Sequence, residues 1–179
     1  MINMGIIGLG RIGHRLVKKA VGMDMSVIAY DAFIPAEDFP DNVAYINTLE
    51  DVLRTADFIS LHVPLTDETQ HLINADTLRL MKPEGRIINT SRGHVIDQDA
   101  LYEALQNGAI AGAALDVFEE EPLPANHPLN DLPNTILTPH IGGLTETAMA
   151  RISMQAAQAV LDVLHGRTPE YPVDEEVGF

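Results

Sequence analysis

The chain has 179 residues, 46% hydrophobic and 21% charged, with 11 Lys and Arg against 26 Asp and Glu for a formal net charge of −15. That balance removes the attraction to phosphate backbones on which nucleic-acid binding rests, and the lack of cysteine excludes disulfides and thiolate metal sites and fits a reducing cytoplasm. No HExxH-like spacing links the seven histidines, no apolar run is long enough for a bilayer, and no signal-peptide pattern follows Met1. The expectation is a cytoplasmic protein with no metal, no nucleic-acid partner and no membrane partner.

Along the chain, runs rich in Val, Ile, Leu and Ala alternate with amphipathic stretches, the pattern of buried parallel strands joined by helices. The strands are expected at residues 4–9, 26–31, 43–46, 57–63, 86–90, 111–117 and 135–137. A first helix is expected to begin near Arg11 and to end at Gly22, in the left-handed conformation common at helix C-termini. Thr48, with Asp51 three residues on, is suited to cap a helix over residues 49–54. Another is expected over residues 97–107, stopped by Gly108. The last, over about residues 145–165 and stopped by Gly166, places Met149, Ile152, Ala156, Val160, Val163 and Leu164 on one stripe, expected to pack on the sheet.

Gly8, Gly10 and Gly13 form a G-x-G-x-x-G with Leu9, Arg11 and Ile12, set between the first strand and the first helix. The first glycine permits the tight turn, the second lets the backbone approach a pyrophosphate, and the third lets helix and strand pack closely. Asp31 closes the second strand, where a carboxylate accepts hydrogen bonds from ribose hydroxyls. Ala32 and Phe33 follow it, with no Arg to receive a 2′-phosphate, so NAD is the expected cofactor rather than NADP. The fold class is α/β: a Rossmann-type doubly wound parallel sheet of about seven strands with helices on both faces, binding ligands beyond the carboxyl ends of the strands.

Five blocks in order carry a further resemblance: Gly8-Leu9-Gly10-Arg11-Ile12-Gly13, His62-Val63-Pro64-Leu65-Thr66, Asn89-Thr90-Ser91-Arg92-Gly93, Leu115-Asp116-Val117-Phe118 continuing to Glu121-Pro122, and Pro139-His140-Ile141-Gly142-Gly143. With these the chain resembles the NAD-dependent D-isomer-specific 2-hydroxyacid dehydrogenases, such as D-3-phosphoglycerate dehydrogenase, almost end to end. The resemblance implies a catalytic trio of Arg92, Glu121 and His140. It also implies cofactor contacts from Gly8, Gly10, Arg11, Ile12, Gly13, Asp31, His62, Val63, Pro64, Thr69, Thr90, Ser91, Asp116, Gly142 and Gly143.

The residue types suit that chemistry. A histidine with an ordinary pKa of about 6.5 exchanges a proton near neutrality, a neighbouring carboxylate orients it, and the planar guanidinium fork of Arg92 matches a substrate carboxylate. Each of the three follows a different strand, so all can meet at the sheet's carboxyl edge.

On this reading residues 1–166 are the NAD-binding domain and residues 167–179 an acidic tail holding Asp174, Glu175 and Glu176. The family's substrate-binding lobe is essentially absent, so the chain alone is expected to bind NAD with little or no turnover. A homodimer through the cofactor domain and a small 2-hydroxy or 2-oxo acid as substrate are what the resemblance implies. Two other readings stay open: a non-catalytic NAD(H)-sensing or protein-binding module related to the family's corepressors, and another Rossmann enzyme such as a formate dehydrogenase or a methyltransferase. Glu121 counts against formate dehydrogenases, which resemble this pattern but carry Gln there.

Overall fold

The structure is a computed structural model that describes residues 1–172. It comprises two compact units, Met1–Pro139 and a second that begins at His140. The acidic residues expected in the tail, Asp174, Glu175 and Glu176, lie outside the described residues.

The first unit holds a seven-stranded parallel sheet: β1 (Asn3–Ile7), β2 (Ser26–Tyr30), β3 (Ala44–Tyr45), β4 (Phe58–Leu61), β5 (Arg86–Asn89), β6 (Gly112–Leu115) and β7 (Thr135–Leu137). Their order is β3-β2-β1-β4-β5-β6-β7, so the direction of winding reverses between β1 and β4, the switch point beside which ligands bind in such sheets.

Side chains alternate across the pleat, and the core divides accordingly. Ile6, Val27 and Ala29 face one way and pack with Val17 and Ala20 of α1 (Arg11–Val21). Ile7, Ile28, Ile59, Leu61 and Ile87 face the other way. They pack with Leu49, Val52 and Leu53 of α2 (Leu49–Thr55), Leu78 of α3 (Ala75–Leu78) and Leu101 and Leu105 of α4 (Gln98–Gln106). The expected arrangement of helices on both faces is therefore present.

Caps set the helix starts. The Thr48 hydroxyl accepts from Asp51 N at 3.2 Å and the Asp97 carboxylate from Ala100 N at 3.0 Å. Asn74 accepts from Asp76 N and Thr77 N to start the short α3, a cap that satisfies N–H groups with no partner in the first turn. Gly22 departs from expectation. It stays right-handed at φ −65°, and the chain reverses two residues later, at Asp24 with φ 57°. Asp tolerates that region because its short polar side chain bonds locally.

The second unit contains α5 (Glu146–Leu164), capped by the Thr145 hydroxyl accepting from Ala148 N at 3.1 Å and followed by Gly166 at φ +69°. None of its residues is buried. The residues of the expected apolar stripe, Met149, Ile152, Ala156, Val160, Val163 and Leu164, are exposed. Among the described residues no helix is long and apolar enough to cross a membrane, and no group of three or more metal-binding side chains is close enough to hold an ion.

Candidate functional site

The turn from β1 to α1 is closed on one side and open on the other. Gly8 has φ +91°, and a Cβ there would lie 2.7 Å from the His62 carbonyl; one at Gly13 would lie 2.4 Å from the Gly8 oxygen. Only glycine allows β1, the β4 loop and α1 to approach this closely. A Cβ at Gly10 would meet nothing within 4 Å. No side chain caps α1 at Gly10, and its first turn, which begins with exposed Arg11 and Ile12, holds no acidic residue. Its N–H groups and positive dipole end therefore remain available to an anion. A pyrophosphate fits this cradle.

Beside the turn lies a cavity of about 320 Å³, lined by Gly8 and Gly10 from the turn, Tyr30 at the end of β2 with Asp31 to Phe33 after it, and His62, Val63, Pro64, Thr66, Glu68, Thr69 and Leu72 beyond β4. That size is at the lower end for a small-ligand site. The Asp31 carboxylate is held rigidly: Oδ2 accepts from Leu9 N at 2.7 Å, and Oδ1 from Phe33 N at 2.9 Å and Ile34 N at 3.1 Å. Three of its roughly four acceptor sites are filled, leaving one for a ribose hydroxyl.

On the opposite wall His62 Nε2 is hydrogen-bonded to Ser60 Oγ at 2.9 Å, and burial holds the imidazole below its ordinary pKa because a charged ring loses hydration there. The Thr69 hydroxyl donates to Pro64 O at 2.6 Å and accepts from Thr66 N at 2.8 Å, which shapes the turn that forms this wall. Tyr30, Glu68 and Leu72 are lining residues that the motifs do not reveal, since only the folded turn brings them to the cavity.

Farther along the same sheet edge, buried Asn89 organises the loop after β5. Its Oδ1 accepts from Ser91 N at 3.0 Å and Ser91 Oγ at 2.8 Å, while its amide donates to Arg92 O at 2.9 Å. The turn buries Ser91 and leaves Thr90 and Arg92 exposed. Gly93 then lies so close to the loop after β6 that a Cβ on it would be 1.9 Å from Phe118 O. That second loop begins with buried Asp116, whose Oδ1 accepts from the Thr138 hydroxyl.

Of the three consecutive glutamates, Glu119 is committed to the loop itself. Its Oε1 pairs with His71 Nε2 at 3.0 Å and accepts from Gln98 N at 3.2 Å, and its N–H donates to Gln98 Oε1 at 3.3 Å. The Gln98 side chain in turn meets His127 Nε2 at 2.9 Å. Glu121 is exposed, with Oε1 accepting from Phe118 N at 3.0 Å. Arg92 and Glu121 thus stand on two loops of the first unit that touch backbone to backbone at Gly93.

His140 opens the second unit, three residues past Leu137 of β7, and is exposed with φ 54°. A positive φ in a non-glycine residue is uncommon and concentrates at functional sites. Gly142 and Gly143 follow in the same exposed loop.

Comparison with known proteins identifies the family. The model of the D-isomer specific 2-hydroxyacid dehydrogenase NAD binding domain matches residues 2–142. A glyoxylate reductase of Thermofilum pendens is 44% identical over 182 residues, covering 97% of this chain and 52% of that protein. A D-3-phosphoglycerate dehydrogenase of Methanocaldococcus jannaschii is 45% identical over 172 residues, covering 96% and 33%. The crystal structure of D-lactate dehydrogenase with NAD+ from Lactobacillus jensenii superposes with a TM-score of 0.88 at 31% identity, covering 97% of this chain and 56% of that one. The chain spans about half the length of the glyoxylate reductase it matches. It belongs to the D-isomer specific 2-hydroxyacid dehydrogenase family, as an NAD-binding domain.

Proposed function

We propose that this chain is the cofactor half of an enzyme that interconverts a small D-2-hydroxy acid and its 2-oxo acid. The observation that carries the reading is the open glycine turn and capless helix beside a cavity holding the fixed Asp31 carboxylate, on the sheet edge that also bears Arg92 and Glu121. NAD, when bound, takes the hydride in oxidation and returns it in reduction.

The residues of the chain do the rest. Gly8, Gly10 and the start of α1, with Arg11, Ile12 and Gly13, receive the pyrophosphate. Asp31 receives the adenosine ribose, His62, Val63, Pro64 and Thr69 wall the adenine side, and Thr90, Ser91, Asp116, Gly142 and Gly143 border the nicotinamide side. Arg92 binds the substrate carboxylate and polarises the 2-oxo group. His140 takes the hydroxyl proton in oxidation and returns it in reduction, with Glu121 orienting the imidazole and stabilising its charged form.

Residues 1–166 act as one cofactor domain in this reading, the protein works in the cytoplasm as a homodimer joined through that domain, and the chain alone binds NAD with little turnover. The relatives named above are reductases and dehydrogenases, and a purely sensing role draws no support from them.

The test is a titration of NADH into the chain by nucleotide fluorescence, followed by NADH oxidation with glyoxylate, pyruvate, hydroxypyruvate and phosphohydroxypyruvate. Saturable NADH binding that survives Arg92→Ala, with any turnover abolished by that change, is expected. Absence of NADH binding, or turnover unaffected by Arg92→Ala, overturns the assignment.

A further inference from the structure

Two carboxylates line the cavity, and they come from the loops after two different strands. Asp31 follows β2 and Glu68 lies beyond β4, with β1 between those strands. Two inter-strand spacings amount to roughly 10 Å, a span suited to an adenosine lying across the end of β1. The wall between them is largely apolar, with Ile7, Val63, Pro64 and Leu72. An adenine ring presents two apolar faces and one exocyclic amine, and that amine needs an acceptor where the ring emerges.

Several other polar groups on the β4 side already have partners within the loop. His62 is bonded to Ser60 and Thr69 to Pro64 O and Thr66 N, while the Thr66 hydroxyl faces both Thr69 and the Glu68 carboxylate. Glu68 is exposed, and the Thr66 hydroxyl together with its own backbone N–H holds its carboxyl below the ordinary carboxylate range. At neutral pH it is an anion with acceptor sites to spare.

We propose that Glu68 reads the adenine base: its carboxylate accepts a hydrogen bond from the 6-amino group and so selects NAD over the analogue with a 6-oxo purine. This rests on the NAD-binding reading and assigns a residue to one part of it. A 6-oxo group turned toward Glu68 sets acceptor against anion, and the repulsion adds to the lost bond.

The experiment is a parallel fluorescence titration of the chain with NADH and with nicotinamide hypoxanthine dinucleotide, reduced form, using wild type, Glu68→Ala and Glu68→Gln. A hydrogen bond to a charged group at an exposed rim predicts a wild-type preference for NADH of about three- to tenfold. Glu68→Ala is expected to bring the two affinities together by weakening NADH. Glu68→Gln, whose amide can turn to donate, is expected to raise the affinity for the hypoxanthine analogue.

Equal wild-type affinities for the two nucleotides overturn the role of Glu68 and leave NAD binding intact, and the wild-type ratio alone decides the point if a variant fails to fold. A Glu68→Ala variant that weakens both nucleotides equally likewise makes Glu68 a turn residue only. Failure of wild type to bind either nucleotide overturns the NAD reading and the role of Glu68 with it.

Discussion

Gly93 and Phe118 are in backbone contact so close that a methyl group on Gly93 would sit 1.9 Å from the Phe118 carbonyl oxygen. Arg92 is the residue before Gly93, and the Phe118 N–H is the donor to Glu121. One contact therefore fixes the separation of two loops that carry the guanidinium and the carboxylate, although 29 positions part Arg92 from Glu121 in the sequence.

Two glycine substitutions are expected to separate stability from cofactor binding. Gly93→Ala must push the loops apart, and overpacking of this kind costs about 1–3 kcal/mol, or several degrees of melting temperature for a chain of this size. Gly10→Ala adds a methyl to open space, so it should leave stability within about 0.5 kcal/mol yet weaken NADH at least tenfold by occupying the place of the pyrophosphate. Differential scanning calorimetry with NADH titration checks both; a Gly10→Ala variant with unchanged affinity would remove the pyrophosphate from this turn.

Asp31 should govern both cofactor affinity and cofactor choice. Its carboxylate anchors three backbone N–H groups, one of them from Leu9 inside the glycine turn, so its loss disorders the turn as well as the ribose contact. Asp31→Ala is expected to weaken NADH about tenfold or more, at roughly 1–3 kcal/mol for the unsatisfied donors. Wild type should bind NADPH at least tenfold more weakly than NADH, because the anion repels a 2′-phosphate, and Asp31→Ala should narrow that ratio. An unchanged ratio would place the origin of NAD preference elsewhere.

The frame of the fold is legible because its signals are local. Alternation of apolar strands with helices locates all seven strands, Thr48 caps a helix where its spacing to Asp51 says, and the helices expected from about residues 97 and 145 begin just after Asp97 and Thr145. Strand ends expected from the sequence run one or two residues long, since apolar character continues into loops after pairing stops, as at Leu9 and Val63. The glycine turn and Asp31 are legible for the same reason.

What the sequence conceals is tertiary. Nothing in the residues around Glu68 shows that a turn after β4 brings it to the same cavity as Asp31, and nothing around Gly93 shows that Phe118 lies against it. Among Glu119, Glu120 and Glu121, only the bonds of Glu119 to His71 and Gln98 N show that this carboxylate belongs to the scaffold. The apolar stripe of α5 conveys a helix correctly, while a period identifies a face without identifying what covers it.

His62 offers a pH-dependent readout. Burial depresses its pKa below the ordinary 6.5, so the folded protein favours the neutral ring and the unfolded chain binds the proton more readily. The stability this contributes is complete above about pH 6.5 and is lost as pH falls through the lowered folded value. The proton NMR titration of the His62 ring should accordingly have a midpoint below 6.5, and His62→Gln should flatten part of the fall in melting temperature between neutral pH and pH 5. A midpoint at or above 6.5 would mean that the ring is solvated and does not form the wall of the cavity.

Asp57 supplies the opposite edge of the sheet with a distinct acid sensitivity. Its Oδ1 accepts from Lys82 Nζ at 2.7 Å and its Oδ2 from Asn3 N at 2.7 Å, tying the start of β1 to the start of β4. The Lys82 hydrogen bond, with that from Asn3, lowers the carboxyl pKa. A lowered folded pKa means that the stabilisation is fully present above the unfolded value of about 3.9 and disappears as pH falls through the folded one. Both side chains are about one-third exposed, so solvent screening limits the pair to about 0.5–1 kcal/mol. Asp57→Asn should therefore lower stability to urea by that amount at pH 7, with the difference from wild type shrinking as pH falls below about 3.9. It should leave NADH affinity unchanged, because Asp57 lies at the amino ends of the strands and the cofactor cradle at their carboxyl ends. A destabilisation that persists undiminished in acid would assign the effect to packing rather than to the charge.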